Sequence, residues 1–501
     1  MNLMSLFNQN VKEHFNDPAI TMSRDDETWS YSYLNNRVCQ IAYYLKENNI
    51  QKGDGVLILV PMSLELYALL LALFKLGAVA VFLDPQSSKK HISFCINKYP
   101  LKAFVGIKKA HLFRFINKDI RKIPLQITLG HLPFTKNFYS FYDSHKFLAE
   151  NTLVNGNDPA LITFTSGSTG NPKVAVRTHD FLLKQYEVLS QNMLFGLSEV
   201  DISTLPVFVL ANLAAGMHSV IPDVNLLKPA EVDGNILLKD IIKYRATRFG
   251  GSPVLVKKVL PFADSKIKSS LTHIYMGGGP VYPKDIKQVQ DKFPQSKVYG
   301  LYGSTESEPI SHMSSQSYND NNTNMTRKGY GLYVGKPVEE IEVKIINSEK
   351  LTDKTDDISD VEIQTGEIIV SGEHVLKGYL NGEGDKENKI HCNGKIWHRT
   401  GDAGYFDKNG ELWLLGRYSQ RIIKEESVIY PFSLEAAFYE EGYNTVLVLH
   451  EKNICLIVEG NKPPSKLLEK FGIEKVISIP KIPRDKRHNA KVDYNELQKL
   501  L

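Results

Sequence analysis

The chain has 501 residues, of which 42% are hydrophobic and 23% are charged, and this ordinary globular composition excludes a disordered, collagen-like or disulfide-dense protein. Sixty basic and 56 acidic residues give a net charge of +4, so the overall charge does not indicate a nucleic-acid or membrane-surface partner. The length is enough for about two or three domains.

The cysteine pattern indicates reduced thiols rather than a disulfide framework or a metal site. The four cysteines are far apart and form no Cys-x-x-Cys pair, at Cys39, Cys95, Cys392 and Cys455. The first residues, MNLMSLFNQNVKEHF, are too polar for a secretory signal. We therefore expect a cytoplasmic protein.

The most apolar segment, residues 66–83, has the length of a membrane span but contains Lys75 and Gly77. A buried helix, a glycine stop and a buried strand explain it better. We expect no transmembrane segment.

Up to about residue 310, helical patterns alternate with short apolar runs. Val38, Ile41, Ala42 and Leu45 share one helix face, and Val56–Val60 is a typical buried strand. This alternation predicts an α/β fold with mostly parallel sheets. The polar segment 311–328 has no period, and we expect an exposed loop there.

Beyond this segment the sequence becomes richer in strand patterns, at 341–346 and 367–370. The main joint is expected at Gly416–Ser419, because new strand patterns begin beyond it. We predict a large domain over residues 1–416, with mostly parallel sheets and a β-rich distal part. Residues 417–501 would form a small, mobile α+β domain.

The most informative segment is TFTSGSTGNPK, residues 163–173, at the end of an apolar run. Its glycines can turn backbone N–H groups toward an anion, and its hydroxyls and Lys173 add donors suited to a polyphosphate. It is not a Walker P-loop, because the required Gly-Lys pair falls on Pro172-Lys173. A solvated Ser/Gly loop is the alternative interpretation of these residues alone.

This segment resembles the phosphate loop of the adenylate-forming superfamily, which contains acyl-CoA synthetases, adenylation domains of peptide synthetases, and luciferases. Further matches follow in that family's order across most of the chain. They are LALFKLGAVAVFLDP (71–85), MGGGPVYP (276–283), YGSTE (302–306), GEIIVSGEHVLKGYL (366–380), RTGD (399–402), GR (416–417), IYPFSLE (429–435) and NAKVDYNEL (489–497).

The resemblance implies an AMP-forming ligase that uses ATP and Mg²⁺ to convert a small carboxylic acid into acyl-AMP and pyrophosphate. Transfer to CoA or to the thiol of a carrier protein would follow. The residues it implies for nucleotide binding are Thr165, Ser166, Gly167, Ser168, Thr169, Gly170, Lys173, Gly279, Pro280, Tyr302, Gly303, Ser304, Thr305, Asp402 and Arg417.

Three residues are implied to be catalytic. Lys173 would neutralise phosphate charge, Glu306 would be the metal ligand that holds Mg²⁺ on the phosphates, and Lys491 would meet the carboxylate and the α-phosphate. The small domain of this family rotates between the two steps, and its hinge corresponds to Ser419. Alone, each residue could be an ordinary turn or surface residue, but the ordered series favours the functional interpretation.

The acyl pocket is expected at Val209, Asn212, Gly278 and Gly303. The segment FVLANLAAG, residues 208–216, contains no acidic residue that could hold an amino group, which favours a fatty or other apolar acid. A narrower resemblance to β-lactone synthetases of olefin biosynthesis rests on LPVFVLANLAAGMHSVIPDVN (205–225), FGGSP (249–253), YGSTESEPIS (302–311) and DKRHNAK (485–491).

Several residues depart from the family pattern. Val174 replaces a usual glycine, Ser419 replaces the usual Asp or Lys at the hinge, and the part beyond it is short. Glu425 and Glu426 stand where acyl-CoA synthetases have a Gly-Gly pair along the pantetheine tunnel, and two carboxylates would repel CoA phosphates unless the loop faces solvent.

Two alternatives to thiol transfer therefore stay open. The first is a β-lactone synthetase that closes the adenylate of a 3-hydroxy acid without CoA. The second is a non-catalytic nucleotide-binding homologue.

Overall fold

The computed structural model describes residues 2–84, 87–143, 146–148, 150–165, 172–193, 195–196, 198–264, 269–351, 357–424, 427–450, 453–484 and 492–500. Its strands are β1 (Pro18–Met22), β2 (Glu27–Ser30), β3 (Gly55–Leu59), β4 (Val79–Phe82), β5 (Leu101–Ile107), β6 (Leu125–Leu129), β7 (Lys136–Asn137), β8 (Pro159–Thr165), β9 (Lys173–Thr178), β10 (Val200–Ser203), β11 (His218–Ile221), β12 (Arg248–Gly251), β13 (His273–Met276), β14 (Lys297–Ser304), β15 (Ser307–Ser314), β16 (Leu332–Pro337), β17 (Ile341–Ile346), β18 (Thr365–Gly372), β19 (Lys389–Cys392), β20 (Lys395–Phe406), β21 (Leu412–Arg417), β22 (Ile422–Lys424), β23 (Ser427–Ile429), β24 (Thr445–His450), β25 (Asn453–Glu459) and β26 (Lys475–Ile479).

The α-helices are α1 (Leu3–Glu13), α2 (Tyr31–Glu47), α3 (Leu64–Leu76), α4 (Lys89–Ile96), α5 (Phe113–Ile116), α6 (Lys118–Lys122), α7 (His179–Asn192), α8 (Pro206–Ala215), α9 (Gly234–Lys243), α10 (Pro253–Val259), α11 (Pro283–Lys292), α12 (Asp320–Arg327), α13 (Asp385–Asn388), α14 (Pro431–Glu440), α15 (Ser465–Lys470) and α16 (Tyr494–Gln498).

The chain packs into two compact units, the first of which combines Met1–Asp223 with Glu373–Glu387. Its seven-stranded sheet has the order β7-β6-β5-β3-β4-β8-β9, in which only the β8–β9 pair is antiparallel. A second group of strands in this unit follows the order β10-β11-β1-β2. The prediction of mostly parallel sheets is confirmed.

Helix α3 shows why the apolar segment at residues 66–83 folds as expected. Ser63 caps its first turn by accepting a hydrogen bond from the Leu66 N–H, and Gly77 ends it at φ +69. Glycine suits this left-handed position because it has no Cβ. Nearly all of the helix is buried, and β4 follows it as the predicted buried strand. Among the described residues, no helix is long and apolar enough to cross a membrane.

The second unit combines Val224–Gly372 with Asn388–Leu501. Strands β12, β13 and β14 run parallel, and the sheet continues through antiparallel pairs in the order β14-β15-β16-β21-β20-β18-β17. This antiparallel region is the β-rich distal part that the sequence predicts. The strand expected at 341–346 is β17, and the one expected at 367–370 is the central half of β18.

The prediction of an exposed loop over residues 311–328 is wrong. Strand β15 extends to Ser314 between β14 and β16, and α12 occupies much of the remainder. Ser311 and Met313 are buried in β15, and the Asn319 side chain caps α12 by accepting from the Asn322 N–H. The strand period of β15 is hidden because a serine occupies a buried strand position. The helical period of α12 is hidden because that helix has few apolar residues.

The C-terminal part contains the hairpin β22–β23 and the three-stranded sheet β24-β25-β26. Helices α14, α15 and α16 accompany this sheet, so the expected α+β character is confirmed. The division of the chain at residues 416 and 417 stays a prediction. All four cysteines are free, as the sequence predicts, and all four are buried.

Candidate functional site

Three of the expected nucleotide-binding residues meet in the second unit. The Tyr302 hydroxyl, near the end of β14, donates a hydrogen bond to Asp402 Oδ2 at 2.9 Å. Arg417 Nη1 lies 3.1 Å from Asp402 Oδ1, because Asp402 and Arg417 face each other across the β20–β21 pair. The RTGD and GR motifs, which are separate in sequence, therefore form one cluster with the tyrosine of YGSTE.

Thr400, for which the sequence predicts no role, supports this cluster. Its Oγ1 accepts a hydrogen bond from the Asp402 N–H at 3.0 Å and donates to the Ile368 carbonyl at 2.8 Å. Its own carbonyl accepts from Arg417 Nη1 at 3.1 Å. A threonine two residues before an acid is a weak sequence signal for such a turn.

Burial raises the pKa of Tyr302 well above its ordinary value, and the Asp402 carboxylate adds to this effect. The hydroxyl therefore stays protonated and acts as a donor near neutral pH. Asp402 is about one-fifth exposed and Arg417 about half exposed, so the cluster has a buried side and an open side.

The loop of Gly278, Gly279 and Pro280 lies at the same sheet edge as YGSTE. Parallel strands β13 and β14 are neighbours, and both segments come at or beyond the carboxyl ends of these strands. In α/β sheets this edge is where ligands bind. Gly278 has φ +76, and a Cβ placed there would meet no atom within 4 Å.

The YGSTE motif forms a tight turn between β14 and β15. Ser304 pairs with Ser307, which leaves Thr305 and Glu306 at the tip. A Cβ on Gly303 would lie 2.8 Å from the Ser307 carbonyl oxygen, so this turn requires glycine. Ser304 Oγ accepts a hydrogen bond from the Glu306 N–H at 3.3 Å, and Glu306 is partly exposed.

The donor set suits a magnesium ion shared with phosphate rather than a metal held by protein alone. Within the described ranges, no group of three or more His, Cys, Asp or Glu could hold a metal ion. Mg²⁺ is typically held by one or two carboxylates together with substrate phosphates. A single partly exposed carboxylate at Glu306 fits that arrangement.

The first unit holds Lys173, at the start of β9 and paired with Thr165 at the end of β8. Its Nζ lies 5.6 Å from the centre of the Tyr379 ring, within the range of a cation–π contact. Tyr379 belongs to the GYL end of the expected motif at residues 366–380. The phosphate-loop residues Ser166, Gly167, Ser168, Thr169 and Gly170 lie outside the described residues.

Val209 and Asn212, which are expected in the acyl pocket, both lie on α8 and are fully buried. Asn212 Nδ2, which carries two N–H donors, lies within hydrogen-bonding distance of Asp201 Oδ2 at 2.9 Å, Ser219 Oγ at 3.0 Å and Ser203 Oγ at 3.2 Å. The amide therefore ties α8 to the ends of β10 and β11. Its place in an acyl pocket stays a prediction.

Four further residues are singled out in the sequence, and among these the structure describes Ser419 alone. Ser419 lies in a short 3-10 turn, Tyr418–Gln420, which follows β21. Lys491, Glu425 and Glu426 lie outside the described residues. Their roles stay predictions that rest on the family resemblance.

The family model of AMP-binding enzymes matches residues 7–380, and the chain belongs to this family. It is 28% identical to the olefin beta-lactone synthetase of Stenotrophomonas maltophilia, over 95% of this chain and 92% of that protein. The enzyme of the same name from Xanthomonas campestris is 28% identical, over 95% and 91%. The 2-succinylbenzoate–CoA ligase of Enterococcus faecalis is 23% identical, over 86% and 82%.

Solved structures agree on the fold. The amide bond synthetase McbA from Marinactinospora thermotolerans superposes with a TM-score of 0.80 at 20% identity over the whole of both chains. The O-succinylbenzoate CoA synthetase from Bacillus subtilis, in complex with AMP, gives 0.78 at 21% identity over 98% of each chain. The family match and the ligase and synthetase relatives make the chain an adenylate-forming ligase, which activates a carboxylic acid with ATP and releases pyrophosphate.

Proposed function

We propose that this ligase adenylates a 3-hydroxy fatty acid and closes the resulting adenylate to a β-lactone. The observation that carries the proposal is the similarity to two olefin beta-lactone synthetases along 95% of the chain. The Glu425-Glu426 pair supports the proposal. Two carboxylates in place of the Gly-Gly pair of acyl-CoA synthetases would repel the phosphates of CoA and so hinder its binding.

In the first step, a carboxylate oxygen of the acid attacks the α-phosphorus of ATP. The bond from that phosphorus to the bridging oxygen breaks, and pyrophosphate leaves with the electron pair. The protein has to hold two anions together and neutralise the developing charge. We assign this task to the loop at residues 165–170, to Lys173 and to Lys491.

The cluster of Tyr302, Asp402 and Arg417 is proposed to hold the nucleoside. The tyrosine ring would stack on adenine, and Asp402 would accept hydrogen bonds from the ribose hydroxyls. A carboxylate has about four lone-pair positions, so Asp402 can accept from ribose while Tyr302 and Arg417 keep it oriented. Gly278, Gly279 and Pro280 would lie against adenine and the acyl group.

Mg²⁺ would be held by Glu306 and the phosphates, and when bound it supplies positive charge to the leaving pyrophosphate. The hydrogen bond from the Glu306 N–H to Ser304 supports the turn that carries this carboxylate.

In the second step, the 3-hydroxyl oxygen attacks the acyl carbon. The bond between that carbon and the AMP oxygen breaks, AMP leaves, and the hydroxyl proton is released. A hydroxyl tethered to the acyl group has a large effective concentration, so no second substrate site is needed. Val209, Asn212, Gly278 and Gly303 are proposed to line the acyl pocket.

Transfer to CoA or to a carrier-protein thiol is the second candidate, and the CoA-ligase relatives favour it. Such an enzyme would use Ser419 as the hinge of its small domain, residues 417–501. The four free cysteines support a cytoplasmic location for either activity.

One experiment separates the two candidates. The protein is incubated with ATP, Mg²⁺ and either a 3-hydroxy fatty acid or the matching unsubstituted fatty acid, with and without CoA. We expect AMP release from the hydroxy acid without any thiol, and a product lighter than the acid by one water. If AMP release requires CoA and is equally fast with both acids, the protein is an acyl-CoA ligase and the β-lactone proposal is wrong.

The variant Glu425→Gly, Glu426→Gly tests the tunnel argument. If the carboxylates block CoA, the double variant gains CoA-dependent turnover. An unchanged acceptor preference would mean that the loop faces solvent and that this support is lost.

A further inference from the structure

Residues 108–122, KKAHLFRFINKDIRK, form a basic and apolar surface in the first unit, hereafter the 108–122 surface. The segment contains six basic residues and one acidic residue. Its net charge of +5 exceeds the +4 of the whole chain. The near-neutral total therefore conceals a strong local concentration of positive charge.

The inner side of this segment is anchored in the fold. It connects β5 to β6 through a 3-10 turn, Ala110–Leu112, and helices α5 and α6. His111 is buried, and its Nε2 lies 2.9 Å from the Ile127 carbonyl oxygen. Asn117 Nδ2 donates to Ser93 Oγ on α4 at 3.0 Å. Ile120 is fully buried.

The outer side exposes three large apolar side chains within five residues. Phe115 is 80% exposed, Leu112 60% and Ile116 55%. Single exposed apolar residues are ordinary on protein surfaces, whereas a cluster rimmed by charge marks an interaction surface. Because the anchoring contacts use other side chains, the fold does not account for these three.

The positive charges surround this apolar cluster in sequence on both sides. Five of the six basic side chains are exposed and the sixth is partly exposed: Lys108, Lys109, Lys118, Arg121, Lys122 and Arg114. Helix α4, which is tied to the segment through Ser93, begins with exposed Lys89 and Lys90. Asp119 is the single acid of the segment.

We propose that the 108–122 surface docks on a membrane that contains anionic lipids. Phe115, Leu112 and Ile116 would enter the interfacial region, and the surrounding lysines and arginines would contact lipid phosphates. Apolar side chains beside a basic cluster are the combination that binds such membranes, since each element alone binds weakly. Charge complementarity favours an anionic over a neutral surface.

An acidic protein is the competing occupant of a basic surface. It would also be attracted to the lysines, but charge attraction alone does not require an exposed phenylalanine, whereas insertion into the lipid interface does. The proposal goes beyond the acid-activating reaction and does not depend on which acid is used.

The test is co-sedimentation of the full chain with vesicles. One set contains phosphatidylcholine and phosphatidylglycerol in equal parts, and the other contains phosphatidylcholine alone. We expect binding to the anionic vesicles that weakens at high salt, because exposed charges are screened. Phe115→Ser should weaken it about tenfold or more. Lys118→Gln with Lys122→Gln should weaken it about 25-fold, at about fivefold per charge.

Leu153→Ser is the matched control. Leu153 is 91% exposed, and its carbonyl accepts a hydrogen bond from Lys52 Nζ at 3.1 Å. Lys52 comes shortly before the first residue of β3, so this contact lies at the amino edge of the sheet. This variant should bind vesicles like the wild type. Acid-dependent pyrophosphate release in solution should be unchanged in all variants, which shows that they are folded.

Three results would overturn the proposal. They are equal binding to both vesicle types, unchanged binding of the Phe115→Ser variant, and binding to polyglutamate without binding to anionic vesicles.

Discussion

The hydroxyl of Tyr302 donates a hydrogen bond to Oδ2 of Asp402 at 2.9 Å, although a hundred residues separate the two in the chain. Arg417 contacts the other carboxylate oxygen at 3.1 Å. Two donors from different strands thus fix the orientation of one carboxylate. An oriented acceptor loses less freedom when a ligand binds, which would favour tight binding of the nucleoside that we propose for this cluster.

Tyr302→Phe tests this relationship, because it keeps the ring and removes the donor. We expect the KM for ATP to rise about tenfold with little change in kcat, since a contact to a charged group is lost in ground and transition states alike. The preference for ATP over 2′-deoxy-ATP should also shrink. Both are measured by pyrophosphate release.

Tyr318→Phe is the control for this change, since the Tyr318 hydroxyl donates to the Tyr333 carbonyl at 3.1 Å in the same unit. It should keep the wild-type preference for the ribose. An unchanged preference in Tyr302→Phe would mean that Tyr302 does not act through Asp402.

Glu306→Gln should reduce pyrophosphate release by about 10²-fold or more at limiting Mg²⁺, because a neutral amide is a poor ligand for this cation. Glu308→Gln, in the same hairpin, is the matched control and should retain activity. The measurement is the rate as a function of Mg²⁺ concentration. A Glu306 variant that matches the wild type at limiting Mg²⁺ would contradict the metal assignment.

The motifs of the candidate site could be recognised because each is contiguous in sequence, but the contacts between them could not. Nothing in RTGD and GR indicates that Asp402 and Arg417 face each other, since that depends on the register of the β20–β21 pair. The polar group around Asn212 was equally hidden. It joins Asp201 and Ser219 from two strands, and periodicity along one segment does not report such contacts.

Lys491→Ala should slow acyl-AMP formation by about 10² to 10³-fold, which is the scale of one preorganised charge contact. Conversion of supplied acyl-AMP should be much less affected, because the lysine is expected to leave the site after the first step. Asp402→Ala, in contrast, should weaken both the ATP-bound and the adenylate-bound states. Equal losses in both half-reactions for Lys491→Ala would contradict its restriction to the first step.

Lys257→Met should lower the free energy of unfolding by about 2 to 3 kcal/mol, because it removes the cation from a buried carboxylate. Lys257 Nζ lies 2.8 Å from Asp285 Oδ1, and Asp285 is only 2% exposed. The Tyr439 hydroxyl, on α14, donates to the same oxygen at 2.9 Å.

Urea denaturation measures this effect, with exposed Lys287→Met on α11 as the control. Adding Asp285→Asn to Lys257→Met should recover part of the loss, because the uncompensated charge disappears. Strict additivity of the two changes would show that the pair is not coupled.

Glu435→Gln should make unfolding less dependent on pH. Burial raises the pKa of Glu435 from 4.5 to about 7, although the Leu447 N–H, at 2.8 Å, and Arg484 act in the opposite direction. The native state thus favours the protonated carboxyl. Its stabilising contribution is complete below pH 4.5 and is lost as the pH rises through about 7. Glutamine imitates the neutral form and can still accept a hydrogen bond from the Leu447 N–H, so the free energy of unfolding of the variant should match that of the wild type at low pH.

Above neutral pH, the free energy of unfolding of the Glu435→Gln variant should be higher than that of the wild type by up to about 3 kcal/mol. Denaturation across this range, with exposed Glu496→Gln as the surface-charge control, measures the difference, and parallel curves for Glu435→Gln and the wild type would contradict the raised pKa.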